Sequence, residues 1–222
     1  MVKVRRVAVG DSVELFDGKG RAVLAQVHRI ERDQVQMAIS GEAPGSPAPA
    51  CSLTLATAVP KGDRFDWIVE KATELGVAKL APLATSRSSV DPRPTKLDRL
   101  RKIIIEASKQ CRRNTLMELG RPEDLTGLLR NQRESFRYIA DPSGTMMARV
   151  PLPKRDTHAV LAVGPEGGFS EEELALAVSL GWVPISLGPQ ILRIETAGLV
   201  GSSYLIASSE NDPGEPSFLG ER

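Results

Sequence analysis

Two glycine–proline segments near the C-terminal end constrain this chain more than anything else in it. The first reads Gly164-Pro165-Glu166-Gly167-Gly168-Phe169-Ser170 and the second Leu187-Gly188-Pro189-Gln190-Ile191-Leu192-Arg193-Ile194-Glu195-Thr196. Each follows a short, strongly apolar run (Ala159 to Val163, Val183 to Leu187) and precedes a helix-like pattern, so both read as loops at the ends of buried strands. Glycine lets the backbone approach a ligand closely, and proline fixes the neighbouring turn. The pair therefore predicts a pocket built largely from main chain, with Arg193, Glu195 and Glu166 at its rim. Spacing excludes three common alternatives. Neither segment is GxGxxG or GxxxxGK[ST], GxSxG is absent, and His28 and His158 have no evident nucleophile partner.

The order of elements predicts two units. Ser12–Phe16, Ala22–Val27 and Val35–Ile39 alternate like antiparallel strands, with Val7-Ala8-Val9 as a further strand, Gly10-Asp11 as a turn and Asp17-Gly18-Lys19-Gly20 as a hairpin turn. Gly41 to Pro49 is a linker by composition. Beyond it, strands at 52–58, 77–83, 136–140, 159–163 and 183–187 alternate with helical patterns, which predicts a parallel α/β sheet whose ligand sits beyond the strands' C-terminal ends. Thr95 and Asp98 suggest a capping box, and Ser170 with Glu173 a second one; Gly76 and Gly181 end helices. The last helix, Thr196 to Ser208, is rich in Gly, Ala and Ser although glycine costs about 1 kcal/mol inside a helix. Small residues there imply close contact with surrounding chain.

Charge decides less. The net charge is +1, but seven basic residues fall between Lys96 and Arg113 against Asp98 and Glu106, which makes a polyanionic partner plausible. Residues 210–222 read as a disordered acidic tail. Two isolated cysteines, two histidines and no long apolar run point to a reducing cytoplasm, with no metal site and no membrane span expected.

The two segments resemble the signature motifs of the RsmE family, the 16S ribosomal RNA uridine-N3 methyltransferases of the SPOUT superfamily. Lys61 to Leu83, Thr85-Ser86-Arg87-Ser88 and Glu106 to Asn114 look like the same family, and the resemblance runs over about residues 2 to 208. It implies a knotted SPOUT methyltransferase domain at 51–209 with a C-terminal trefoil knot, and a PUA-like β-barrel at 1–50. About one more strand is expected ahead of Met1–Asp11, so the barrel is expected to be partial. The resemblance further implies S-adenosylmethionine as cofactor, 16S rRNA of the small ribosomal subunit as substrate, and a homodimer. Cofactor contacts would fall to Gly164, Pro165, Gly167, Gly168, Leu187, Gly188, Leu192 and Thr196. RNA contacts would fall to Arg87, Lys109, Arg112, Arg113 and the barrel's Arg6.

Uridine N3 is a poor nucleophile until it loses its proton, when negative charge spreads to O2 and O4. A fixed guanidinium beside those oxygens would favour the anion. Arg193 is the first candidate, with Arg87 and Arg113 as alternatives; Glu195 or Glu166 would accept the proton or orient the arginine. Two other functions stay open: a SPOUT enzyme acting on another RNA site, and a non-catalytic RNA-binding or assembly module that keeps the fold.

Overall fold

A computed structural model describes residues 7–90 and 97–210, which form two units. Thr95, Arg6 and the tail beyond Glu210 lie outside them.

In the first unit, β1 (Ser12–Phe16), β2 (Ala22–Ile30) and β3 (Val35–Glu42) pair antiparallel in the order β1-β2-β3. The expected hairpin turn joins β1 to β2. Asp17 Oδ1 accepts hydrogen bonds from the backbone of Lys19 (2.7 Å) and Arg21 (3.1 Å), which hold the carboxyl below its ordinary range. Three expectations are corrected here. Val7-Ala8-Val9 is not a strand, because Asp11 closes a turn on it: the Ala8 amide donates to Asp11 Oδ2 at 2.7 Å. Gly41 and Glu42 belong to β3 and not to a linker, pairing with Leu24 and Val23. The unit also recruits Ser108–Leu116, where Thr115 bridges Gly18 and Lys19, while 48–50 belong to the second unit.

The second unit is a sheet of seven strands, every pair of them parallel. Its order is β10-β8-β9-β4-β5-β6, with β7 also on β5. The strands are β4 (Ser52–Ala58), β5 (Lys79–Ala84), β6 (Glu118–Leu119), β7 (Glu123–Asp124), β8 (Phe136–Met146), β9 (His158–Val163) and β10 (Val183–Ser186). Central strands covered on both faces must be apolar throughout, and β9 shows it: Ala159 to Val163 are all buried. The side chains of Val160 and Ala162 join one core with α3 (Leu125–Asn131), α4 (Glu171–Ser179) and the buried Trp182. On the other face lie α1 (Arg64–Glu74) and α5 (Ile194–Glu210), which pack on each other and, through α5, on β4 and β9. The remaining helix, α2 (Leu97–Cys111), carries the apolar stripe Leu100, Ile104, Ala107.

Helix α5 explains its own composition. A Cβ added at Gly201 would stand 2.6 Å from Leu161 Cδ2 of β9 and 3.5 Å from Leu187 Cδ2 of the second loop. The helix therefore runs against the sheet and that loop at a distance only a residue without a side chain allows. The ends of α4 also follow the sequence: Ser170 and Glu173 complete the capping box, and the backbone turns at Gly181.

The short strands β6 and β7 are not among those expected, and β8 differs in length. β8 continues to Met146 instead of stopping at Ala140, but its pairing with β10 jumps from Ile139 opposite Pro184 to Thr145 opposite Ile185. Residues 140–144 thus have no partner on β10 and form a bulge on that side of β8, while Ala140 still pairs with Val163 of β9.

Candidate active site

The C-terminal ends of β8, β9 and β10 open into a cavity of about 300 Å3. The first glycine-rich loop leaves β9, the second leaves β10, and the β8 bulge supplies Ala140, Asp141 and Pro142 between them. This is the position at which an open parallel sheet binds ligands. Val163, Ile185, Leu187, Leu192 and Ile194 give it apolar walls.

The main chain is exposed to the cavity where the sequence predicted. Gly188 adopts φ 146°, which side-chain-bearing residues rarely take, and a Cβ built on it meets nothing within 4 Å. Bare backbone therefore faces the cavity at the turn after β10. The first loop is braced from outside. Arg87 Nη1 donates to the carbonyls of Gly167 (2.8 Å) and Phe169 (3.1 Å), and Glu173 accepts from the amides of Ser86 (2.7 Å) and Ser170 (2.8 Å). Thr85 to Ser88 is thus a buttress for the loop.

Of the predicted cofactor contacts, Gly164, Pro165, Gly167, Gly168, Leu187, Gly188 and Leu192 line the cavity, as does Glu166. Thr196 does not; it is exposed on the first turn of α5. Arg193 is exposed beside the lining residues Leu192 and Ile194, and its guanidinium makes no ion pair among the described residues. Glu195 is buried at 8 % exposure, behind the lining. One of its oxygens, Oε1, lies 3.4 Å from Arg64 Nη1; the other, Oε2, is buried with no hydrogen-bond partner among the described residues. Arg64 Nη2 lies 3.6 Å from Glu166. The two carboxylates singled out from the sequence, one on each loop, therefore share one guanidinium.

The predicted RNA contacts are dispersed. Arg87 lines the cavity but spends one nitrogen on the loop. Lys109 and Arg112 lie in the first unit with Asp11, Glu14, Phe16 and Asn114 around a separate cavity of about 420 Å3. Arg113 is half-buried, and burial pushes its guanidinium below the ordinary value. Arg64 is not evident from the sequence as a site residue, although it falls within the Lys61 to Leu83 segment that resembles the family. Sequence reasoning also missed the β8 bulge, whose Asp141-Pro142-Ser143-Gly144 run is a turn signal in its own right.

Comparison with known proteins agrees with this geometry. Residues 46–206 match the RNA methyltransferase domain family, and residues 1–40 the RNA methyltransferase PUA domain. The chain is 33% identical to the ribosomal RNA small subunit methyltransferase E of Synechocystis over 94% of its length and 70% of the relative's. It is 31% identical to the Rickettsia conorii protein of that name, covering 88% and 80%. Among solved structures, a methyltransferase from Legionella pneumophila in complex with S-adenosylmethionine superimposes with TM-score 0.85 at 34% identity, covering 93% of this chain and 87% of that one. The ribosomal RNA small subunit methyltransferase E of Neisseria gonorrhoeae, bound to S-adenosylmethionine, gives TM-score 0.85 at 28% identity with the same coverage. A parallel sheet with a backbone-lined cavity at its C-terminal edge, a PUA-like N-terminal unit and these matches together place the chain in the RsmE family of ribosomal RNA small subunit methyltransferases.

Proposed function

We propose that this protein methylates N3 of a uridine in 16S ribosomal RNA of the small subunit, using S-adenosylmethionine. The observation that carries the reading is the cavity between the two glycine-rich loops. Its volume, apolar walls and bare backbone at Gly188 suit a nucleoside-sized ligand held by main chain. When bound, the cofactor supplies a methyl group on a positively charged sulfur.

Gly164, Gly167, Gly168, Gly188 and Leu192 would hold the cofactor, and Ile185, Leu187 and Ile194 would flank its base. Transfer would require N3 to give up its proton to a group of the protein before it takes the methyl carbon from sulfur, with S-adenosylhomocysteine as the leaving product. Arg193, exposed at the edge of the cavity and without an ion pair among the described residues, would face O2 or O4 of the uridine and favour the anion. Glu166 lines the cavity and is half-exposed, so it is the better placed of the two carboxylates to accept the proton. Glu195, buried behind the lining, would orient its neighbours. Lys109, Arg112 and Arg113, with Arg6 and the outer face of Arg87, would contact phosphates, a salt-sensitive and sequence-blind contribution.

A homodimer fits the exposed apolar residues Ile191 on the second loop and Val200 and Tyr204 one turn apart on α5. The close approach of α5 to Leu187 is what threading through a trefoil knot would require. Among the described residues no helix is long and apolar enough to cross a membrane, and a ribosomal substrate would be met in the cytoplasm.

Gly188→Val is expected to abolish binding of S-adenosylhomocysteine in calorimetry, because valine combines a forbidden φ with bulk in the cavity. A variant that still titrates normally would refute the assignment of this loop. If the unaltered protein bound neither S-adenosyl ligand, the non-catalytic assembly module would become the better reading.

A further inference from the structure

Arg64 stands at the first position of α1, far in sequence from both loops, yet all three of its guanidinium nitrogens are engaged. Nε donates to the Lys61 carbonyl at 3.2 Å, Nη1 to Glu195 Oε1 at 3.4 Å, and Nη2 faces Glu166 Oε1 at 3.6 Å. Lys61 precedes α1, Glu166 belongs to the loop after β9, and Glu195 to the first turn of α5 after the second loop. One planar fork thus joins three segments that lie far apart in sequence, two of which, α1 and α5, also pack on each other.

The energetics argue against a role in global stability. The Arg64 side chain is 38% exposed and Glu166 48%, and ion pairs this accessible contribute little to folding. Glu195 is different: with 10% side-chain exposure and Oε2 already without a partner, its contact with Arg64 is the one polar neighbour its carboxylate has among the described residues. Removing Arg64 would leave that carboxylate unmatched at the start of α5, and the first turn must loosen to rehydrate it. The effect is then local and falls on both walls of the cavity.

We infer that Arg64 is a positioning residue that fixes the separation of the two glycine-rich loops, so that they close on the cofactor as one body. The inference rests on the cofactor reading above for its ligand but not for its geometry. It requires the fork shape of the guanidinium and not its charge alone, since an ammonium is a single point of attachment that does not span three acceptors.

Hydrogen exchange on the ligand-free protein tests the clamp without any ligand. Arg64→Ala is expected to raise exchange by about tenfold in both 164–169 and 188–196, with α3 unchanged and the melting temperature close to that of the parent. Arg64→Lys is expected to restore neither loop, and Glu166→Gln to loosen the first loop only. Titration with S-adenosylhomocysteine is expected to weaken about tenfold in both Arg64 variants. Exchange that changes in one loop or in neither after Arg64→Ala, or a lysine variant that behaves like the parent, overturns the clamp. If the parent protein binds no S-adenosylhomocysteine, the cofactor reading fails and the exchange result alone decides the clamp.

Discussion

Replacing Arg193 with alanine is expected to slow methyl transfer by about 100- to 1000-fold while leaving cofactor affinity within about twofold, the range seen when one preorganised donor to a developing oxyanion is removed. The structural grounds are specific. Arg193 lies between Leu192 and Ile194, both of which line the cavity, and its own side chain is exposed with no ion-pair partner among the described residues. A guanidinium that stabilised the fold would be paired or buried; this one is exposed. Its backbone does hold structure, since its carbonyl accepts from the Ala197 amide at 2.8 Å to open α5, and alanine keeps that bond. The variant should therefore fold and bind normally. Single-turnover transfer from labelled cofactor, with calorimetry for S-adenosylhomocysteine, separates the two quantities. An unchanged rate would remove Arg193 from the reaction. Arg87 and Arg113 are weaker substitutes, because Arg87 braces the first loop and Arg113 is half-buried.

Gly144→Val is expected to produce the largest loss of stability. An added Cβ would sit 2.6 Å from both Ile185 N and Pro184 C, and 2.7 Å from Pro184 O. These are backbone atoms of the adjacent strand, so no side-chain rotation relieves the clash. Here β8 re-enters the ladder after its bulge, and a displaced Gly144 moves the Asp141–Pro142 wall of the cavity as well. Overpacking against fixed backbone costs about 3 kcal/mol or more, a large fraction of the roughly 5–15 kcal/mol that stabilises a folded domain. At this size that lowers the melting temperature by about 6–12 °C. Affinity for S-adenosylhomocysteine should fall in parallel. A valine variant with the parent's melting temperature and affinity would show that the bulge is free to adjust.

Much of the fold was legible because its signals are local. The apolar runs of β4, β9 and β10, the capping box at Ser170 and Glu173, and the turn at Asp17 each declare themselves within a few residues. What escaped depends on partners that a linear hydrophobic pattern does not register. Ser108–Leu116 joins the first unit through pairing with Gly18 and Lys19, a contact no linear pattern encodes. The expected strand at 7–9 yielded to the Asp11 side chain, which offers the backbone a turn in place of a ladder. The same distinction divides the site. Its glycines were readable because turns at positive φ, as at Gly168 and Gly188, demand that residue type; Arg64 was not, because an arginine near a helix start is ordinary until Glu166 and Glu195 are seen beside it. Thr196 read as a cofactor contact because it ends the motif, but the helix has turned it outward by then.

The most direct test is transfer of tritium from labelled S-adenosylmethionine to small ribosomal subunits that lack the modification, followed by digestion of the RNA to nucleosides. The account predicts label in 16S RNA that appears as N3-methyluridine. Label on a ribose, on another base or on another RNA would contradict the assigned reaction, and the absence of any transfer would contradict the enzyme.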